Sequence, residues 1–356
     1  MKKRVLFLVP FPIGEAPSQR FRFEQYFPIL KKNNIDFQVE PFLSLNTWEI
    51  LYKPGKFGLK ILGVLQGFWR RILLLSQLKN FDFVFIHREA VPIGPPWFEF
   101  LIAKVYKKKI IYDFDDAIWM PNTSSTNKFF SVLKRFKNTI NICHWAYKVS
   151  CGNDYLKQFA SQFNSNAFYN PTTIDTENHH KVRKDSFNEI PVIGWTGTIT
   201  TNQYIEDFVP ILDKIIVQFP FKLLVISNVK PKIERPYFEF IKWNKETEIE
   251  DLLQFDIGIM PLKNDKWANG KCGFKALQYL SLGIPTVASN VGVNSKIVLN
   301  DINGYLCDNE KDWENNLCKL LSHKDLWKTL GEKGIEKVEQ EYSVKSNTAN
   351  FLALLT

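Results

Sequence analysis

Residues 255–289 read FDIGIMPLKNDKWANGKCGFKALQYLSLGIPTVAS, and this stretch decides the fold. "FDIGIMPL" (255–262) is a short apolar run with the character of a buried strand. In "GKCGFKALQYLSLGIP" (270–285) the periodicity becomes helical. Phe274, Leu277 and Leu280 fall on one side, while Lys271, Lys275 and Gln278, at i, i+4 and i+7, form a narrow polar stripe. Gly283 supplies a C-cap and Pro285 prevents the helix from continuing. "PTVAS" (285–289) then returns as a strand. The start of this helix carries two positive charges and backbone N–H groups, which makes it a place to hold an anion. The plainer reading is that both lysines are solvated surface charges.

Working outward, the same alternation fills the chain. "RVLFLV" (4–9), "DFQVEPF" (36–42), "FDFVFIH" (81–87), "KKIIYDF" (108–114) and "YKVSC" (147–151) read as strands, with helical patterns at 20–33, 96–107, 126–145 and 153–163. A polar stretch at 169–191 lacks periodicity. Strands then resume at 192–197, 221–227, near 238–243 and at 255–262, and helical stretches at 312–321, 325–341 and 344–354 finish the chain. Strands alternating with helices predict parallel sheets covered on both faces. The expectation is α/β, with two Rossmann-like, doubly wound parallel-sheet domains facing a central cleft. Residues 1–170 form the first, 171–190 a linker and 191–340 the second, and 341–356 pack back towards the first as a C-terminal helix. Ligands are expected at the carboxyl ends of the strands.

The length of 356 residues suits two such domains. The balance of 46 basic and 37 acidic residues leaves +9, which fits a phosphate-bearing ligand or an anionic surface. No compact Lys/Arg block and no zinc-finger spacing appears, so nucleic acid is not expected as a partner. Five scattered cysteines without CxxC spacing are no disulfide framework, and a cytoplasmic location is the simplest expectation. The apolar start ends at Pro10, too early for a secretory signal. Residues 57–78 are apolar but interrupted by Lys60, Arg70 and Arg71, so they should not span a bilayer. They read either as a helix buried between strands or as a membrane-facing surface with Trp69, Arg70 and Arg71 at the interface.

The order "FDIGIMPL", "GKCGFKALQYLSLGIPTVASNVGVN", "NGYLCDNEKDWENNLCKLL" and "EYS" resembles the carboxyl-terminal half of family 4, group 1-like glycosyltransferases, which have the GT-B fold. "FDFVFIH", "KKIIYDFDDAIW" and "KVSCGNDYL" extend the likeness to the first half. The resemblance implies retaining transfer of a sugar from a nucleotide-sugar donor, with donor contacts in the second domain and no divalent metal or other cofactor. It also implies a saccharide or lipid-linked acceptor, a role in cell-surface polysaccharide or glycoconjugate synthesis, and peripheral contact with the inner membrane surface. The chain departs from the family pattern at several positions. Of the two glutamates spaced E-x7-E in relatives, the second position is Gln278 and the first is Gly270. A glutamine amide can still bond ribose hydroxyls. The Arg and Lys usual after the first strand of the second domain are replaced by Gly197, Thr198 and Thr201. Lys271, Cys272, Gly273 and Lys275 are left as the donor-binding candidates beside Gln278, with the two lysines neutralising diphosphate.

In the first domain, "YDFDDAIW" (112–119) places Asp113, Asp115 and Asp116 at a strand end. Three readings compete: an Asp-x-Asp metal site, contacts to donor or acceptor with Asp115 in the place of the relatives' sugar-facing His, or a helix cap. Asp115, Asp116 and Gly14 are the catalytic candidates, Gly14 because relatives bring backbone close to the donor there. His87, Arg88 and Glu89 follow the preceding strand and are the acceptor candidates, with an Arg88–Asp pair as the structural alternative. Arg20 and Arg22 read as helix-surface charges that would at most meet an acidic acceptor. Two rival functions stay open: a GT-B sugar-nucleotide epimerase, and a non-catalytic nucleotide- or carbohydrate-binding protein. A Rossmann dehydrogenase is disfavoured, because no GxGxxG opens the first helix.

Overall fold

The computed structural model describes residues 2–51, 53, 55–120 and 137–356. The chain forms two compact units, residues 1–172 with 348–356, and residues 173–347. Unit 1 holds β1 (Lys3–Val9), β2 (Ile35–Pro41), β3 (Phe83–His87), β4 (Lys109–Phe114), β5 (Lys148–Cys151) and β6 (Ala167–Tyr169). They form one sheet in the order β2-β1-β3-β4-β5-β6, every pair parallel. Unit 2 holds β7 (Val192–Gly197), β8 (Lys222–Ser227), β9 (Phe238–Lys242), β10 (Ile257–Met260), β11 (Thr286–Ser289) and β12 (Gly304–Cys307). Their order is β12-β11-β10-β7-β8-β9, again all parallel. Strands β3, β5, β10 and β11 are buried along their whole length, which is why they read as continuous apolar runs.

The core of unit 1 is aromatic. Phe7 lies with its ring 4.9 Å from Phe85 and 5.4 Å from Phe23. The chain end completes this unit: Phe351 stacks on Tyr26 at 4.1 Å, and Lys148 Nζ donates to the Ala353 carbonyl at 2.6 Å. In unit 2, Ile193, Val225, Ile259 and Val287 share one core with Trp313 and Leu317. Gly258 has a packing reason there. A Cβ on it would lie 2.3 Å from Tyr279 Cδ2, so only glycine lets the Phe274–Ser281 helix press Tyr279 onto the sheet. Tyr279 Oη then accepts from the Thr196 N–H at 2.9 Å and pins that helix to the end of β7. The polar segment after residue 172 is tied to unit 2 by Lys184 Nζ, 3.2 Å from Asp256 Oδ1.

Two local expectations fail. The expected helix 20–33 is broken into Pro17–Arg20, a tight turn at Glu24–Tyr26 and a restart at Phe27–Lys32, because Pro28 fits only a first turn. The break turns Arg20 and Arg22 inward, at 8% and 1% exposure, so they are not surface charges. The stretch 57–78 is not buried between strands. Its helix, Phe57–Leu74, exposes most of its large apolar side chains. Of the expected helix 126–145, the described part is Asn138–Trp145, and residues 126–136 lie outside the described residues.

Candidate functional site

In each sheet the chain order reverses once, between β1 and β3 in unit 1 and between β7 and β10 in unit 2. The carboxyl ends of such strand pairs form a crevice, because the connections on either side leave in opposite directions. The candidates chosen from the sequence lie at the ends of β1, β3, β4 and β7 and the loops after them, or on the turn and helix (Phe274–Ser281) between β10 and β11.

In unit 1, parallel register sets His87 beside Asp113 and Asp113 beside Ser150. All three side chains therefore leave one face of the sheet together. Asp113 is fully buried and accepts from His87 Nδ1 at 2.8 Å and from Ser150 Oγ at 2.6 Å. Arg22 Nη2 pairs with Asp113 Oδ1, and Arg22 Nη1 donates to the Asn170 carbonyl. Burial alone would raise the Asp113 pKa. The Arg22 guanidinium and His87 outweigh it and hold the carboxyl well below its usual range. An ionised Asp113 only accepts, so His87 Nδ1 carries the hydrogen and Nε2 is the basic nitrogen. That Nε2 is buried, has no hydrogen-bond partner among the described residues, and lies 4.0 Å from Asp115 Oδ1.

Asp115 and Asp116 follow β4 and are both held by Arg88. Its Nε donates to Asp115 Oδ1 at 2.9 Å and its Nη2 to Asp116 Oδ2 at 2.8 Å. Burial opposes the Arg88 charge, but the two carboxylates prevail and raise its pKa. Arg88 has φ +61°, a left-handed conformation unusual for a side chain of its size, and its N–H is fixed on the Asp113 carbonyl at 2.7 Å. The pairing that sequence offered as the structural alternative for Arg88 is therefore present. Glu89 is buried at the next position. Gly14, with φ +82°, gives its N–H to Glu24 Oε2 at 2.8 Å, so the loop after β1 is tied to the turn behind it.

In unit 2, the loop after β7 is organised by its own hydroxyls. Thr198 N–H donates to Thr201 Oγ1 at 2.9 Å, and the Ile199 N–H to Asn228 Oδ1 at 2.8 Å. A Cβ on Gly197 would meet Trp195 Cη2 at 2.0 Å and Thr201 Oγ1 at 2.7 Å, so this position requires glycine. Lys275 Nζ lies 5.5 Å over the same Trp195 ring, which brings it to this loop. The helix begins at Phe274, after Gly273 at φ +68°, where a Cβ would strike Ile297 Cδ1 at 2.2 Å. Lys271 thus precedes the helix, 5.1 Å over Trp267, and does not extend a stripe on it. Cys272 is buried. Gln278 is also buried, at 1% exposure, and its Nε2 has no hydrogen-bond partner among the described residues. A cavity of about 380 Å³ at the ends of β10, β11 and β12 is lined by Tyr204, Lys263, Asn290, Asp308 and Trp313, among others, and by none of the donor candidates.

Ser150 escaped the sequence reading, and Arg22 was read there only as a helix-surface charge or a contact to an acidic acceptor, not as the partner of Asp113. The one visible signal for a buried Arg22 was its place between two phenylalanines in "FRF".

The chain was compared with known proteins. Residues 190–323 match the family model for glycosyl transferases group 1. No curated protein sequence matches the chain. Sucrose-phosphate synthase from Thermosynechococcus elongatus superposes with a TM-score of 0.74 at 11% identity, over 99% of this chain and 98% of that one. A glycosyltransferase from Rickettsia africae gives 0.67 at 15% identity, over 100% and 99%. Anabaena HepE, solved with UDP and glucose, gives 0.66 at 13%, over 99% of each chain. Residues 190–323 thus match the group 1 glycosyltransferases, and the whole chain has the GT-B fold of two Rossmann-like parallel-sheet domains.

Proposed function

We propose that the protein is a retaining glycosyltransferase of family 4 type that moves a hexosyl group from a nucleotide-sugar donor to a saccharide or lipid-linked acceptor in surface-glycan synthesis. One observation carries the reading: the group 1 match spans the unit whose strand-reversal point gathers Gly197, Thr198 and Lys275. Unit 2 then holds the donor. Lys271 and Lys275 offset the diphosphate charge that grows as the sugar leaves, which is electrostatic stabilisation aimed at the transition state. Gln278 offers its amide to ribose hydroxyls. Cys272 and Gly273 shape the turn that lets the backbone approach the phosphates.

Unit 1 handles the transferred sugar and the acceptor. Asp115 and His87 Nε2 are within one hydroxyl group of each other and suit hydrogen bonding or proton transfer at a sugar hydroxyl. Arg88 holds Asp115 and Asp116 in that arrangement, Glu89 is kept as an acceptor contact beside it, and Gly14 sets the loop after β1. Asp113 is committed to Arg22, and Asp115 and Asp116 to Arg88, so these carboxylates do not form an open ligand set for a cation. That pairing supports a metal-independent reaction.

The test is a panel of nucleotide-sugars, each incubated with and without saccharide acceptors, with release of nucleoside diphosphate as the readout. Release that depends on acceptor supports transfer. Epimerised donor without acceptor would point to an epimerase. Donor binding without turnover on any acceptor would point to a binding protein. A bound donor at a hundredfold its dissociation constant should also stabilise the fold by ~2.7 kcal/mol.

A further inference from the structure

The Phe57–Leu74 helix carries its apolar side outward. Ile61, Leu62, Leu65, Trp69, Ile72 and Leu73 recur at spacings of three, four and seven on one face, each between 47% and 60% exposed. The side turned to the fold is the small one. A Cβ on Gly63 would meet Thr47 Oγ1 at 2.3 Å, and one on Gly67 would meet Phe42 Cε1 at 2.8 Å. Arg71 is fully buried there, donating to the Ala90 carbonyl at 2.9 Å and the Val9 carbonyl at 3.3 Å. Arg71 is therefore an internal anchor and not a surface charge. A helix packed for water alone shows the reverse pattern, apolar side in and polar side out. Single exposed apolar residues are ordinary, but a contiguous patch marks an interaction surface.

Charge selects the partner. Residues 57–80 contain no acidic side chain, and Lys60, Arg70, Arg71 and Lys79 are all basic. Lys53 and Lys56 precede the helix, and Lys53, Lys56 and Lys79 are exposed. A second copy docked on this face would bring like charges together, whereas anionic lipid headgroups would neutralise them. We propose that this face of unit 1 docks on an anionic bilayer surface, its apolar side chains at the headgroup–acyl boundary and Lys53, Lys56 and Lys79 against the lipid phosphates. None of the described helices is long and apolar enough to cross a membrane, so the helix lies on the bilayer and does not span it. The inference rests on unit 1 alone and does not need the transfer reading.

The experiment is flotation of the full-length protein with phosphatidylcholine vesicles, with and without phosphatidylglycerol, at low and high salt. The wild type should float with the anionic vesicles, less with the neutral ones, and less again as salt is raised. Leu65→Glu/Trp69→Glu should lower the anionic partition by ~100-fold or more while the melting temperature stays put, since both side chains are exposed. Lys56→Glu/Lys79→Glu should lower binding to anionic vesicles and leave neutral vesicles unaffected. Absence of flotation with anionic vesicles would overturn the proposal, as would unchanged flotation of Leu65→Glu/Trp69→Glu. A dimer in sedimentation velocity that the same double variant splits would assign the face to a second copy and overturn it too.

Discussion

Replacing Asp113 by Asn removes one charge from the most buried polar cluster of unit 1 and reaches both its stability and its chemistry. Asp113 and Arg22 have no exposed side-chain surface, and each is the other's counter-ion. Breaking such a pair from one side leaves a desolvated charge, which destabilises by ~3–5 kcal/mol, whereas an exposed pair contributes ~0–1. For a unit of this size that is a fall of ~6–20 °C in melting temperature. The second effect follows from hydrogen-bond direction. Asp113 Oδ1 already accepts from Arg22 and Ser150, so the Asn oxygen takes that side and its NH₂ faces His87. His87 Nδ1 must then accept, its proton moves to Nε2, and the basic nitrogen beside Asp115 is lost. Calorimetry and acceptor-dependent turnover measure the two effects. The pH dependence has a definite sign. The folded Asp113 pKa is depressed, so its contribution is fully present above the unfolded value of 3.8 and is lost as pH falls from there through the lower folded value. The gap between wild type and variant should narrow over that acid range. A loss under ~1 kcal/mol at neutral pH would mean the pair is solvated, and the account of the cluster would fail.

Three further outcomes are expected. Lys275→Ala should weaken nucleoside-diphosphate binding by ~10–100-fold, the loss of one charge-assisted contact; unchanged affinity in titration calorimetry removes Lys275 from the site. Asp115→Asn should lower kcat by ~10²–10⁴-fold with donor Kd nearly constant, while a wild-type kcat would leave Asp115 only a holder of Arg88. Turnover should survive EDTA, because the carboxylates of unit 1 are engaged by arginines; loss that Mn²⁺ or Mg²⁺ restores would make Asp115 and Asp116 ligands after all.

The sheets were legible because most of their strands are buried on both faces. "FVFIH" and "TVAS" have no polar position that faces water, so composition alone marks them. The last strand of each sheet was not legible. β6 and β12 are three and four residues long, too short to show a period. Helix faces misled where the helix is short. Gln278 looks like the tip of a solvated stripe, yet it lies on the covered side of an eight-residue helix. Arg22 was illegible for another reason: its partner stands 91 residues away, and only the parallel register of β3, β4 and β5 brings Asp113 into reach.

The charges of the two candidate clusters differ in kind. In unit 2 the donor candidates carry two ammonium groups and no carboxylate, and both lysines lie over tryptophan rings. Such a surface suits an anion. In unit 1, two guanidinium groups, Arg22 and Arg88, meet three carboxylates, Asp113, Asp115 and Asp116, with the His87 imidazole beside them. Three carboxylates against two guanidinium groups favour a proton or a developing positive charge beside them. Glycosyl transfer supplies both complements: positive charge develops on the sugar as the bond to diphosphate weakens, and the acceptor hydroxyl must lose a proton. The left-handed Arg88 fits the same demand. A strained residue persists only where its surroundings over-determine it. Here the Asp113 carbonyl on one side and two carboxylates on the other hold Arg88, and Arg88 in turn holds Asp115 beside the basic nitrogen of His87.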